Sequence, residues 1–227
     1  PGTGFDFGPE AFAGILRKAS QRGEIPLILM GNAITDPDDP ADDAFEALIS
    51  DGLIKPYTVK EINGIRIGLF SLIGKDADES APYAPPVTYG KIIPAAKKLV
   101  RNLKKEGCDV IICLSHSGIR KDDKGEWTGE DVKLASKVKG IDLIISGHTH
   151  TLLKEPLVVN AVPIVAVGDN GRFVGRIDAR VINGSLKLEK YEAIPVDDRT
   201  TALEEIQSEI VLQQQKINEA ILNPIGM

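Results

Sequence analysis

Two apolar runs that each close on histidine constrain the fold more than any other feature: residues 109–116, DVIICLSH, and residues 142–150, DLIISGHTH. Both are short and almost wholly apolar before the polar end, the pattern of a strand covered on both faces. A short helical segment, EDVKLASKVKG, lies between them. Strand, helix and strand in succession form a βαβ unit, with a right-handed crossover expected and the two strands parallel. Parallel strands bring their carboxyl ends to one sheet edge, where open α/β sheets gather ligands. His116, His148 and His150, the three histidines of the 227-residue chain, are therefore expected to converge there.

The spacing of the last two sharpens the expectation. On an extended backbone, residues i and i+2 point to the same side, so His148 and His150 could reach one cation or a pair. Neutral imidazole is a common metal ligand near neutral pH. Three imidazoles could hold one zinc with an open position, whereas a pair of divalent metals for phosphate chemistry needs carboxylates too. Asp109 and Asp142 open the two strands and belong to the opposite edge, where capping is expected. Asp169 and Asn170 follow another strand end in VAVGDNG; they read as a turn, with approach to the histidines as the alternative. Asp122, Asp123 and Glu126 sit on a polar loop and read as solvated charge.

The rest of the chain predicts a mixed α/β fold. PEAFAGILRKASQRG reads as a helix entered at Pro9 and closed at Gly23, and the apolar run IPLILM as a buried strand. A short helix is expected around Ala44 to Ile49. Asn63-Gly64 between two β-rich runs predicts a hairpin with a type I′ turn. Residues 75–90 and 117–129 read as long loops. A helix is expected from about Ala95, closed by Gly107. After His150 the runs LVV, PIVAV, RFVGRIDARVI and LKLEKYEAIPV read as strands, the last two joined at Asn183-Gly184. The tail is a helix with a narrow seam of Leu203, Ile206, Ile210, Ile217 and Ile221.

Composition excludes little beyond this. The net charge of −6 argues against a basic face for a nucleic-acid polymer, but a bound metal could reverse the local field for a small phosphorylated substrate. Cys108 and Cys113 would stand roughly 16 Å apart on an extended strand, too far for a disulfide. No run of about 18 apolar residues exists to span a membrane, and the start, PGTGFDFGPE, shows no secretory signal.

DVIICLSHSG and DLIISGHTH resemble the two C-terminal metal motifs of the calcineurin-like metallophosphoesterases, most closely the 5′-nucleotidase branch. GFDFGPEAFAGILRKA is similar to the segment after that family's Gly-Asn-His-Glu-Phe-Asp motif. IPLILMGNAI, GLIKPYTVKEINGIRIGLFSLIG and VAVGDNGRFVGRIDARV are similar, in order, to later stretches of the branch. The resemblance implies a four-layer arrangement: two packed mixed β-sheets flanked by helices, with the N-terminal part missing. It implies a catalytic domain over residues 1–198 and a linker helix over 199–227 leading toward a C-terminal substrate domain.

The same resemblance makes His116, His148 and His150 metal ligands of a centre with two divalent ions, zinc, manganese or similar. It makes Asp6 the aspartate that orients a catalytic histidine. The alignment puts Gly2, Thr3 and Gly4 where Asn, His and Glu should stand, and the earlier Asp-x-His and Gly-Asp motifs have no counterpart. Gly31-Asn32-Ala33 is no substitute, because it follows the apolar run that the family places after the motif and Ala33 has no ligand atom. The implied function is hydrolysis of nucleotide 5′-phosphomonoesters by metal-activated water, in a periplasmic or extracellular setting. With half of the ligand set, the 227 residues alone are expected to be inactive. The alternative is a degenerate, non-catalytic metal- or ligand-binding domain.

Overall fold

The computed structural model describes Phe5, residues 7–182 and residues 184–222. The chain forms two compact units, Pro1–Ile194 and Pro195–Met227.

The first unit opens with α1 (Gly8–Arg22), which holds the expected Pro9 in its first turn and is capped by Gly23. Two short strands follow, β1 (Ile28–Leu29) and β2 (Ala33–Ile34), then α2 (Asp43–Ser50) and β3 (Ile54–Lys55). The apolar run around β1 is less buried than its composition predicts, with Leu27 42% exposed. Only Ile28 and Leu29 pair, in parallel with β3, so a single two-residue partner covers the run. Phe5, Phe12 and Phe45 pack ring against ring at 5.1–6.1 Å, and with Leu48, Ile54 and Val87 they form the smaller of two cores.

The hairpin of β4 (Tyr57–Ile62) and β5 (Ile65–Ile73) forms as the sequence predicts. Its corner residues take φ of 52° at Asn63 and 78° at Gly64, the left-handed pair that a type I′ turn requires. Residues 75–90 are not loop throughout. They hold α3 (Lys75–Glu79) and β6 (Thr88–Tyr89), which pairs with β2. Acidic residues in the first turn and the Lys75–Glu79 ion pair at 3.0 Å favour that short helix.

The helix expected near Ala95 begins three residues earlier, as α4 (Ile92–Lys105). Pro94 is tolerated because amides of the first turn have no helical partner to lose. Ile92, Ala96, Leu99, Val100 and Leu103 are its buried stripe. Then come β7 (Val110–His116) and a small hairpin, β8 (Arg120–Lys121) and β9 (Trp127–Thr128), inside the stretch that reads as loop. Asp122 shapes the hairpin by accepting the amides of Lys124 and Glu126, and the Lys121 ammonium lies 5.1 Å from the Trp127 ring centre. After α5 (Glu130–Lys137), β10 (Leu143–Ser146), β11 (Leu157–Val159) and β12 (Val162–Val165) complete the main sheet.

That sheet has six strands in the order β11-β12-β10-β7-β5-β4. Its four inner strands are mutually parallel, and the two outer ones run against their neighbours. Helices α4 and α5 cover one face through Phe70, Leu72, Leu103, Cys113, Leu134 and Ile144. On the other face Leu114 and Ile145 remain 37% and 39% exposed. The chain is thus mixed α/β, with helices flanking a mixed sheet. Outside the main sheet the described strands form separate two-stranded pairs, of which the longest is β13 (Phe173–Ile182) with β14 (Ser185–Pro195). Asn183, in the expected turn, lies outside the described residues, while Gly184 has φ of 70°. The Tyr191 hydroxyl on β14 is within hydrogen-bond reach of the Leu153 and Ala166 carbonyls at 3.1 and 2.9 Å.

The second unit carries α6 (Glu204–Leu222). Of the apolar seam, Ile206, Ile210 and Ile217 lie on this helix and are each about half exposed.

Candidate metal centre at the carboxyl edge of the sheet

All four parallel strands deliver polar residues to one edge. Beyond β5 comes Gly74 and then Asp76 in α3; β7 ends on His116; β10 leads through Gly147 to His148 and His150; β12 leads to Asp169. Register places Ile73 opposite His116 and Ser146 opposite Ser115. The ladder continues past the strands, with the Gly74 amide donating to His116 O at 3.2 Å and the Gly147 amide to Ser115 O at 2.8 Å. Gly74 has no room for a side chain, since a Cβ there would lie 2.7 Å from Ser117 Cβ and 2.2 Å from a Glu130 carboxylate oxygen.

The three histidines reach this edge but do not face one point. The rings of His116 and His148 lie 5.0 Å apart, edge to face at 61°. His148 Nε2 is 3.2 Å from Asp76 Oδ2, and His150 Nδ1 is 3.4 Å from Asp169 Oδ2. The extended backbone expected over His148–Thr149–His150 is not what forms. Both histidines have positive φ, 75° and 55°, and the Thr149 amide donates to Gly147 O at 3.0 Å. Thr149 drives this turn: its hydroxyl donates to Ile119 O at 2.7 Å and accepts the Ile119 amide at 3.2 Å. Its side chain packs over Gly118, which has φ of 88° and would carry a Cβ only 2.3 Å from Thr149 Cγ2.

Burial, and then the neighbouring His148, lower the His116 pKa to about 4. The ring is therefore neutral near pH 7, the state in which imidazole can ligate. Arg172 also bonds Asp169, and that guanidinium is the main cause holding the carboxyl below its usual range. Asp169 combines the two roles the sequence left open: its carbonyl accepts the Arg172 amide in a turn, and its carboxylate approaches His150.

The neutral ring of His116 suits a metal, but the arrangement of the donors does not close around one. Among the described residues no group of three His, Cys, Asp or Glu side chains is placed to hold an ion. Asp6 lies outside the described residues. Asp109 and Asp142 sit at the far edge, accepting the amides of Arg66 and Ile111 at 2.8 Å each. Asn32 is buried and fully engaged with backbone: it donates to Ile73 O and Gly90 O and accepts the Ile73 amide.

Two residues were not singled out from the sequence. Asp76 follows a strand end, as the histidines do, and that rule alone could have found it. Asp131, in the first turn of α5, is fully buried and bonds the hydroxyls of Ser115 and Ser146; an aspartate near a helix start ordinarily reads as a dipole partner. Beside Asp76 opens a polar cavity of about 270 Å³, lined by Lys75, Arg120, Glu130, Lys133 and Thr149 among others.

The sequence model of the calcineurin-like phosphoesterases matches residues 23–152, more than half of the chain. The chain belongs to the calcineurin-like phosphoesterase family. Calcineurin-like phosphoesterases are generally dinuclear metal enzymes. Within the family the similarity runs to the 5′-nucleotidase branch. The trifunctional nucleotide phosphoesterase protein YfkN of Bacillus subtilis (strain 168) is 29% identical over 180 residues, covering 76% of this chain and 12% of that protein. A 5′-nucleotidase of Vibrio cholerae (serotype O1, strain ATCC 39315 / El Tor Inaba N16961) is 29% identical over 168 residues, 64% of this chain and 30% of its own length. The crystal structure of a 5′-nucleotidase precursor from Thermus thermophilus superposes with a TM-score of 0.73 at 25% identity, covering 96% of this chain and 42% of that one. The chain thus spans less than a third of the length of these two curated relatives.

Proposed function

We propose that His116, His148 and His150 contribute ligands to a two-metal centre that hydrolyses nucleotide 5′-phosphomonoesters. The observation that carries this reading is the gathering of all three histidines, with Asp76 and Asp169, at the carboxyl ends of four parallel strands in a chain of this family. A bound metal pair would supply an activated water and a clamp on the phosphoryl oxygens. The chain's own residues prepare that site. Burial keeps His116 neutral, Asp76 and Asp169 orient the other two imidazoles, and Lys75, Arg120 and Lys133 line the adjoining cavity. No third donor joins any pair among the described residues, so the 227 residues alone are expected to bind metal weakly and to turn over little substrate.

In this reading residues 1–198 are the catalytic part, and residues 199–227 link to a substrate-binding part. The setting is periplasmic or extracellular, after the branch it resembles. No described helix is long and apolar enough to cross a membrane.

Zinc and manganese titrations of the metal-free chain, with AMP and p-nitrophenyl phosphate turnover measured in parallel, test the proposal. Expected are metal binding that His148→Ala abolishes and turnover near background. Absence of any metal binding would leave the non-catalytic alternative. Robust turnover lost in His148→Ala would keep the metal centre and overturn the expected inactivity.

A further inference from the structure

One buried group at this edge has no part in the proposed chemistry. Asp131 of α5 is 0% exposed, yet its carboxylate touches neither a histidine nor the cavity beside Asp76. It receives hydrogen bonds from Ser115 Oγ at 2.5 Å, Ser146 Oγ at 2.6 Å and the Gly118 amide at 3.1 Å. Ser115 Oγ also lies 2.9 Å from Ser117 Oγ, which extends the network. The Asp131 amide returns a bond to Gly118 O at 3.2 Å, so residue 118 is held from both sides.

The placement of these partners is specific. Ser115 and Ser146 are directly opposed across the β7–β10 pair, on its last paired rung. Ser115 immediately precedes His116, and Ser146 is separated from His148 only by Gly147. One carboxylate entering from a helix therefore ties together the two strand ends just before each gives rise to its imidazole. Gly118, the third partner, underlies Thr149, which sits between His148 and His150. A carboxylate is a costly core filler compared with an apolar side chain of similar volume, and burial raises this one's pKa to about 6 despite its three donors. Packing alone would not select it.

We propose that Asp131 is a positioning residue: its bridge between the paired serines fixes the ends of β7 and β10 so that the His116 and His148 rings meet at one site. The assignment rests on the reading of those histidines as ligands, because only then does their mutual placement matter. Asp131 acts through the serines and Gly118, not on the reacting atoms.

The chain's three histidines make the test direct. Long-range ¹H–¹⁵N spectra of the metal-free full chain would be compared for wild type, Asp131→Asn, Ser146→Ala and Asp142→Asn. Zinc affinity would be measured alongside. Asp131→Asn is expected to displace the ring resonances of His116 and His148 and to weaken zinc binding by roughly tenfold or more, the scale of other outer-shell changes. Asp142→Asn, at the opposite end of the same strand pair, should lower the melting temperature and leave all ring resonances in place. If Asp131→Asn melts earlier but its His116 and His148 resonances overlay wild type, the proposal is overturned. If that variant does not fold, Ser146→Ala decides by the same two outcomes. The ring spectra do not depend on metal, so a wild-type chain that binds no zinc defeats the proposed function while the positioning test still reads out.

Discussion

The two ends of the β7–β10 strand pair use the same residue type for opposite purposes. At the amino ends, Asp109 and Asp142 lie on the strands' own approach. Each accepts an amide from the neighbouring strand and donates its own amide back, Asp109 to Arg66 and Asp142 to Ile111, all at 2.8 Å. These carboxylates bond backbone amides, and Asp142 also takes one from Leu186. At the carboxyl ends the stabilising carboxylate comes from α5 and bonds mainly side-chain hydroxyls. The strand termini are then free to carry imidazoles. The difference shows how an edge can be held in register without spending its own residues on holding it.

The largest break in this comparison comes from Asp131→Ala. Two hydroxyls and an amide would lose a buried acceptor, at about 1–3 kcal/mol for each group left unsatisfied. Urea unfolding should show a loss of about 4 kcal/mol, and a loss under about 1 kcal/mol would mean that the network is slack. Asp142→Ala leaves the amide of the buried Ile111 without its partner and also removes a backbone bond from Leu186. A loss of about 1–2 kcal/mol is expected, and a value matching Asp131→Ala would erase the contrast between the ends.

Acidity separates the carboxyl edge further. His116, lowered to about 4, binds fewer protons folded than unfolded, where about 6.5 is usual. Its contribution to metal-free stability is complete above pH 6.5 and is lost as pH falls toward 4. Asp131, raised to about 6, does the reverse, and the folded state gains as pH falls from 6 toward the ordinary carboxylate value. The two oppose each other across about pH 4–6. Urea midpoints of Asp131→Asn should therefore fall more steeply on acidification than those of wild type, and those of His116→Gln less steeply. An Asp131→Asn curve parallel to wild type would remove Asp131 from the balance. Smallest of all is Asp109→Asn, which alters a solvent-exposed bond. Its midpoint should correspond to a change within about 0.5 kcal/mol, and a larger effect would show that the amino edge is strained.

The βαβ unit was legible because β7 and β10 are short apolar runs on either side of a helical segment, although composition did not reveal that Leu114 and Ile145 would stay exposed on one face. The Asn63-Gly64 corner was legible because its φ values are local. What escaped was decided by partners distant in sequence. Thr149 turns the His148–His150 segment by bonding Ile119, which spacing cannot reveal. The α3 turn and the β8–β9 hairpin are too short for a periodic pattern, and Asp131 acquires its meaning only when Ser115 and Ser146 come into register. The position of Asp6 lies outside the described residues.

The outer strands, which run against the four inner ones, have a further consequence for the molecule in a crowded solution. Unpaired edges can template the addition of other chains. Here one edge, β4, carries the exposed Lys60 and Glu61 just before its last residue, Ile62, and the other, β11, is three residues long and follows Pro156. Neither offers a long, uncharged rail for a second molecule, so the main sheet is guarded against self-association from both sides.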